Sequence, residues 1–313
     1  MNKALPLILA AAMVGTLFTT SDASAQAWIR EPGSVYTQLS YRIIRADRLY
    51  DPDGNRVDIQ PFRQHTLGFY SEVGVVDRWL MLTLDGELFR RSVLEDQGAV
   101  SGIGDLRVGA WTGLVEVPFR LSFGVVLGLP TGDPNPDAPR DAPASDQTVA
   151  DVLPTGDGEF DVSFRLAAGH GFGWRKVQQY VLGEFGYALR TTPRDGPGSP
   201  GETGGPSPGD IRDQLIWRAE TGIRIDRPFI ERFWFVLRFS GLVVVQDRNA
   251  DTSTGTSRFA GLGDGVEYTA VGFETSMRIF PGTNISFGVD GAFAARNIPA
   301  AAAYKLGLSY ELP

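Results

Sequence analysis

The sequence predicts an all-β fold: a single transmembrane antiparallel β-barrel of about twelve strands with both termini on the periplasmic side. Two observations predict it. Apolar and polar residues alternate with period two through twelve successive segments, as they do where one strand face meets lipid and the other a lumen. The connections between those segments alternate long and short along the chain, and an even strand number places the termini with the short turns.

The first element is an export signal. Lys3 precedes an apolar run from Ala4 to Phe18, a polar Thr19-Thr20-Ser21-Asp22 and the small-residue site Ala23-Ser24-Ala25, the order of a cleaved secretory peptide. The expected division is residues 1–25 as signal peptide and 26–313 as barrel; a cut after Ala27 satisfies the same rule. The run is shorter than the roughly 20 apolar residues of a membrane-spanning helix and contains Pro6. No later stretch is long and apolar enough either, so the expected destination is the outer membrane of a Gram-negative bacterium.

The strands follow in order. Segment 34–45 turns Arg42 inward by alternation, 62–74 turns Tyr70 and Glu72 inward, and 79–90 turns Asp85, Glu87 and Phe89 inward. Segment 102–114 brings Asp105, Arg107 and Trp111 to the lumen, 118–129 brings Arg120, and 159–170 brings Asp161 and Arg165. In 176–190 the inward residues are Tyr180, Glu184 and Arg190, while Phe185 and Tyr187 point outward. Segment 211–225 sets Leu215, Trp217, Ala219, Thr221, Ile223 and Ile225 outward against Arg218, Glu220 and Arg224 inward. The clearest alternation is in 231–246, where Phe233, Phe235, Leu237, Phe239, Val243 and Val245 face one way and Trp234, Arg238 and Ser240 the other. Segments 266–279, 283–294 and 302–312 add Tyr268, Glu274, Arg278, Asp290, Lys305 and Glu311 to the lumen. The outward Trp217, Phe185 and Tyr187 suit an interfacial aromatic girdle.

The short connections are Val75 to Arg78, Val115 to Val117, Gly171 to Arg175, Asp226 to Ile230 and Phe280 to Gly282; the others read as longer loops. The longest, Pro130 to Gly158, opens and closes on one tetrapeptide, Pro-Thr-Gly-Asp at 130–133 and 154–157, whose residues stop a ladder and favour turns. Residues 194–210 are rich in Gly and Pro and read as a linker-like loop.

Composition narrows the function. The chain has no cysteine, which excludes disulfides, thiolate metal sites and a lipoprotein anchor. A formal charge of −8 disfavours nucleic acid as a partner. Lysine occurs only at Lys3, Lys176 and Lys305; the remaining cations are arginines, whose planar fork suits carboxylate pairing in confinement.

The inward charges balance, so two readings stand: a structural network of cross-strand ion pairs filling the barrel, or a charged constriction that selects solutes. On either, Arg107, Asp105, Arg120, Arg165, Glu184, Arg218, Glu220, Arg224, Arg238, Glu274 and Arg278 line the lumen. No catalytic, cofactor or metal site is expected, and no phosphate loop or zinc motif is present. Asp51 to Asp58 groups oxygen ligands around Gly54 but lacks the calcium-loop order and reads as an Asp-Gly turn. The histidines, His65 and His170, fall near opposite ends of their strands, so they cannot share one site, and no serine is marked as a nucleophile.

Two stretches carry resemblances. The last strand, Lys305-Leu306-Gly307-Leu308-Ser309-Tyr310-Glu311-Leu312, resembles the terminal signal read by the barrel-assembly machinery, with Leu312 where an aromatic is usual and Pro313 after it. Gly102-Ile103-Gly104-Asp105-Leu106-Arg107, followed by Leu127-Gly128-Leu129-Pro130-Thr131-Gly132-Asp133, resembles the family named for the MetA pathway of phenol degradation, a family of outer-membrane transporters. That resemblance implies uptake of small hydrophobic or aromatic compounds. The expected partners are outer-membrane lipids, the assembly machinery and a small solute. The alternative function is a non-conducting barrel serving as a structural or surface-interaction module.

Overall fold

The computed structural model describes residues 27–95, 98–133, 153–174, 177–190, 212–227, 230–245 and 265–312. The expected signal peptide, the loop at 194–210 and the middle of the longest loop lie outside the described residues. Fourteen strands form one antiparallel sheet: β1 Val35–Tyr50, β2 Arg56–Val76, β3 Leu80–Leu94, β4 Gly98–Gly102, β5 Leu106–Val115, β6 Arg120–Leu129, β7 Asp161–Trp174, β8 Val177–Arg190, β9 Gln214–Arg227, β10 Ile230–Val244, β11 Glu267–Phe280, β12 Thr283–Arg296, β13 Ile298–Pro299 and β14 Ala303–Leu312. β4 continues the stave of β5, and β13 pairs only with the tip of β1. Twelve staves remain, and β1 closes the ring by pairing with both β14 and β2. Among the described residues each of the twelve staves is paired on both sides, so closure satisfies their backbone groups without water.

The outward face carries exposed apolar side chains around the barrel, among them Leu39, Leu84, Phe123, Phe164, Phe185, Phe239, Phe273 and Leu306. The inward face carries the buried polar ones, including Glu72, Ser122, Glu184, Glu220 and Ser286. A soluble protein has the reverse order; this one suits a lipid-facing belt around a polar lumen.

Three expectations are corrected. Residues 46–61 are not a long loop: β1 and β2 run on for 16 and 21 residues and meet at the tight turn Asp51–Asn55, where Gly54 adopts φ 85°. The expected strand 102–114 is broken at Ile103–Asp105, and β4 pairs with the upper part of β3 before that break. Phe89 points outward, not inward, and is 42% exposed. Between the pairs Leu67↔Phe89 and Gly68↔Glu87, Leu88 is an extra residue in the ladder, and such a bulge reverses the alternation beyond it. The same reversal turns Arg90 inward, where it is buried.

Candidate functional site: the lumen

The lumen wall from β7 to β14 is a chain of alternating charges set by register. Glu184 lies directly opposite Arg218, and Glu220 directly opposite Arg238. Glu184 accepts from Arg218 at 2.8 Å and from Arg165 at 3.2 Å. Arg238 donates through Nε to Glu220 at 2.6 Å and approaches Glu274 at 4.0 Å, and Lys305 reaches Glu274 at 3.8 Å. The Tyr180 hydroxyl donates to the other Glu220 oxygen at 2.5 Å. Glu184 and Glu220 are almost fully buried. A buried carboxylate without partners is costly, which is why each holds two.

The opposite wall repeats the device around Glu87, which accepts from Arg42 at 3.0 Å and Arg90 at 2.5 Å, with Arg107 3.8 Å from Asp85 beside it. Arg224 lies over the Trp234 ring, 5.7 Å from its centroid. Arg120 sits at the periplasmic rim, 3.7 Å from Glu116, and Arg278 makes no ion pair with a described residue.

Asp105 has a different setting from the other expected lumen residues. Its carboxylate accepts backbone N–H groups from Gly132 at 2.9 Å and Asp157 at 2.7 Å. Those residues belong to the two Pro-Thr-Gly-Asp repeats, and Thr155 joins the repeats directly: its N–H donates to the Asp133 carbonyl at 2.9 Å and its hydroxyl accepts from the Asp133 N–H at 2.8 Å. A Cβ on Gly132 or Gly156 would collide with the other glycine, so the close approach requires glycine at both. The repeats and the Gly-Ile-Gly-Asp stretch thus form one clasp on the outer side. Leu153, fully buried, packs below it with Phe62, Leu94 and Val100.

The periplasmic half holds what sequence reasoning missed. Ala27–Ser34 enters the barrel, and Trp28 stands edge-on to Tyr180 with centroids 6.1 Å apart. Ala27 is buried among Met81, Trp111, Val126, Ala167, Tyr180 and Leu182, with Trp28, Ile29 and Trp234 packed against them. Arg30 donates to Glu72 at 2.5 Å and to Glu311 at 3.0 Å, tying the segment to β2 and β14. Trp28, Ile29 and Arg30 precede any strand pattern, so alternation could not assign them; only an apolar cluster just past the expected cleavage site hinted at burial. Beside the segment lies a cavity of about 120 Å³, lined by Arg30, Tyr36, Gln38, Glu220, Arg238 and Glu274 among others.

Other expected features take ordinary forms. The Asp51 carboxylate accepts the N–H groups of Asp53 at 2.9 Å and Asn55 at 2.8 Å and so builds its own turn. His65 bonds to the Tyr41 hydroxyl at 2.6 Å midway along the lengthened β2, not near its outer end as expected, and His170 bonds to the Pro118 carbonyl at 2.9 Å near the periplasmic end of β7. The two are not brought together.

No family model and no curated protein matches the chain. Among solved structures it is similar to an outer membrane channel from Pseudomonas putida F1, with 16% identity, TM-score 0.56, and 94% of this chain and 100% of that chain covered. It also aligns with the β domain of the Bordetella autotransporter BrkA, at 11% identity and TM-score 0.47 over 90% of this chain and 100% of that one. The NanC porin aligns at 7% identity and TM-score 0.42 over 89% and 100%. At such identities the likeness is one of fold, and the first carries it: the chain has the fold of a twelve-stranded outer-membrane β-barrel.

Proposed function

We propose that the mature chain stands in the outer membrane of a Gram-negative bacterium as a passive channel for small solutes. The observation that carries this reading is the polar cavity of about 120 Å³ beside Ala27–Ser34, walled by the charges of Glu220, Arg238 and Glu274. The rings of Tyr180 and Trp234 stand among these charges on the same wall, and such a mixed lining selects solutes by field and size. The resemblance of residues 102–107 and 127–133 to the phenol-degradation transporters supports hydrophobic or aromatic cargo, and the fold likeness to an outer membrane channel supports passage. The terminal strand supports assembly by the barrel-assembly machinery after removal of residues 1–25. The lumen charges act electrostatically, without a cofactor.

Single-channel current and solute-induced liposome swelling of the refolded mature chain test this against the double variant Arg218→Ala, Arg238→Ala. Removing two cations from the wall should shift ion selectivity toward cations and change conductance about twofold or more. A folded barrel that passes neither current nor solute sinks the reading. The second reading, a sealed structural or surface-interaction barrel, then takes its place; the tether from Arg30 to Glu72 and Glu311 favours it.

A further inference from the structure

The chain is acidic, yet one place on its outer wall is basic. β1, β2 and β3 carry apolar side chains toward lipid: Leu39 and Tyr41, then Leu67 and Phe69, then Leu84, Leu88 and Phe89. Toward the outer ends the series stops, and Arg45, Arg63 and Arg91 follow on the same outward face, all exposed. The register sets Arg45 directly opposite Arg63, and Arg91 opposite His65, two residues along β2 from Arg63. Cross-strand neighbours lie about 5 Å apart and diagonal ones about 7–8 Å, so the three guanidinium groups share one patch. None makes an ion pair with a described residue. Of the acids farther out, Asp58 is engaged by Arg48 at 3.2 Å, and the exposed Asp47 and Glu95 make no ion pair with Arg45, Arg63 or Arg91.

Like charges placed directly opposite one another destabilise a sheet unless an anion lies between them. Guanidinium forks match phosphate oxygens in pairs, and basic clusters beside apolar membrane surface recruit anionic lipid headgroups. The Phe89 register reversal matters here, because the bulge at Leu88 also turns Arg91 outward.

We infer that Arg45, Arg63 and Arg91 form a binding site for the doubly phosphorylated headgroup of lipid A in the outer leaflet. Its acyl chains lie along the stripe of Tyr41, Leu67 and Phe89. Tyr41, bonded to His65, marks the boundary between stripe and patch. The inference rests on the barrel standing in an outer membrane with its termini periplasmic. A failure of that reading shows separately, as a chain that does not insert into lipid vesicles.

The test is native mass spectrometry of the folded full-length mature protein in detergent, titrated with bis-phosphorylated lipid A, dephosphorylated lipid A and phosphatidylglycerol. The wild type should prefer bis-phosphorylated lipid A by about tenfold or more over both others. Arg45→Gln/Arg63→Gln/Arg91→Gln should lose that preference, while Arg56→Gln/Arg78→Gln/Arg120→Gln, which removes the same charge elsewhere, should keep it. Equal binding of the three lipids by the wild type, or an unchanged preference in the first triple variant, overturns the inference. Folding is checked by heat-modifiable gel migration. If the triple variant does not fold, Arg63→Gln alone is read, with about a threefold loss expected and no loss overturning the site.

Discussion

Asp105 shows how one carboxylate can organise residues far apart in sequence. It accepts the N–H groups of Gly132 and Asp157, so Asp105→Ala leaves two donors without their acceptor, at about 1–3 kcal/mol for each one kept from water. The urea midpoint of the folded barrel should fall; Gly156→Val should act the same way by collision with Gly132 and Asp105. Asp51 is a second case. Slight desolvation would raise its pKa, but the backbone N–H and side chain of Asn55 and the N–H groups of Asp53 and Gly54 outweigh it, and the carboxyl is held below the usual range. A depressed folded value means that this contribution to the turn is present above the ordinary aspartate pKa of about 3.9 and is lost as pH falls through the folded value. Carboxyl NMR should place the Asp51 midpoint below that of an ordinary aspartate, and Asn55→Ala should move it up.

Between neighbouring strands, glycines receive aromatic rings. Tyr180 on β8 lies over Gly222 of β9, opposite which it is registered, and Trp111 on β5 lies over Gly124 of β6 in the same way. A Cβ at Gly222 would drive into the Tyr180 ring, whose hydroxyl holds Glu220. Gly222→Val should therefore destabilise the barrel by about 1–3 kcal/mol. Gly183→Ala, with open space around it, should stay within about 0.5 kcal/mol. Comparison of their denaturant midpoints checks the pair. Strand alternation was readable at this scale because period two is a local property. Phe89 was misplaced because a single inserted residue, Leu88, reverses the pattern without any signature in composition.

At the scale of the whole molecule, closure brings Ala27–Ser34 against both walls at once. Trp28 packs on Tyr180, and Arg30 spans Glu72 and Glu311. If the pathway runs beside this segment, loosening it widens the periplasmic mouth. Trp28→Ala and Arg30→Gln should each raise single-channel conductance, with the larger rise for Trp28→Ala because the ring occupies more volume than the ion pair. Bilayer recordings of the two variants beside the wild type check this, and unchanged currents would mean that the segment lies off the pathway.

The sequence by itself determined the barrel, the number of its staves and, away from the bulge at Leu88, the alternation of strand faces. All of these depend on alternation and on turn residues close together in the chain. Only the tertiary structure decided which charges meet, that Asp105 clasps two loops through their paired Pro-Thr-Gly-Asp repeats, and that Trp28 and Arg30 enter the lumen. Those contacts join residues separated by tens to hundreds of positions, as Arg30 and Glu311 are, and they come into being when the sheet closes into a ring and sets its walls face to face.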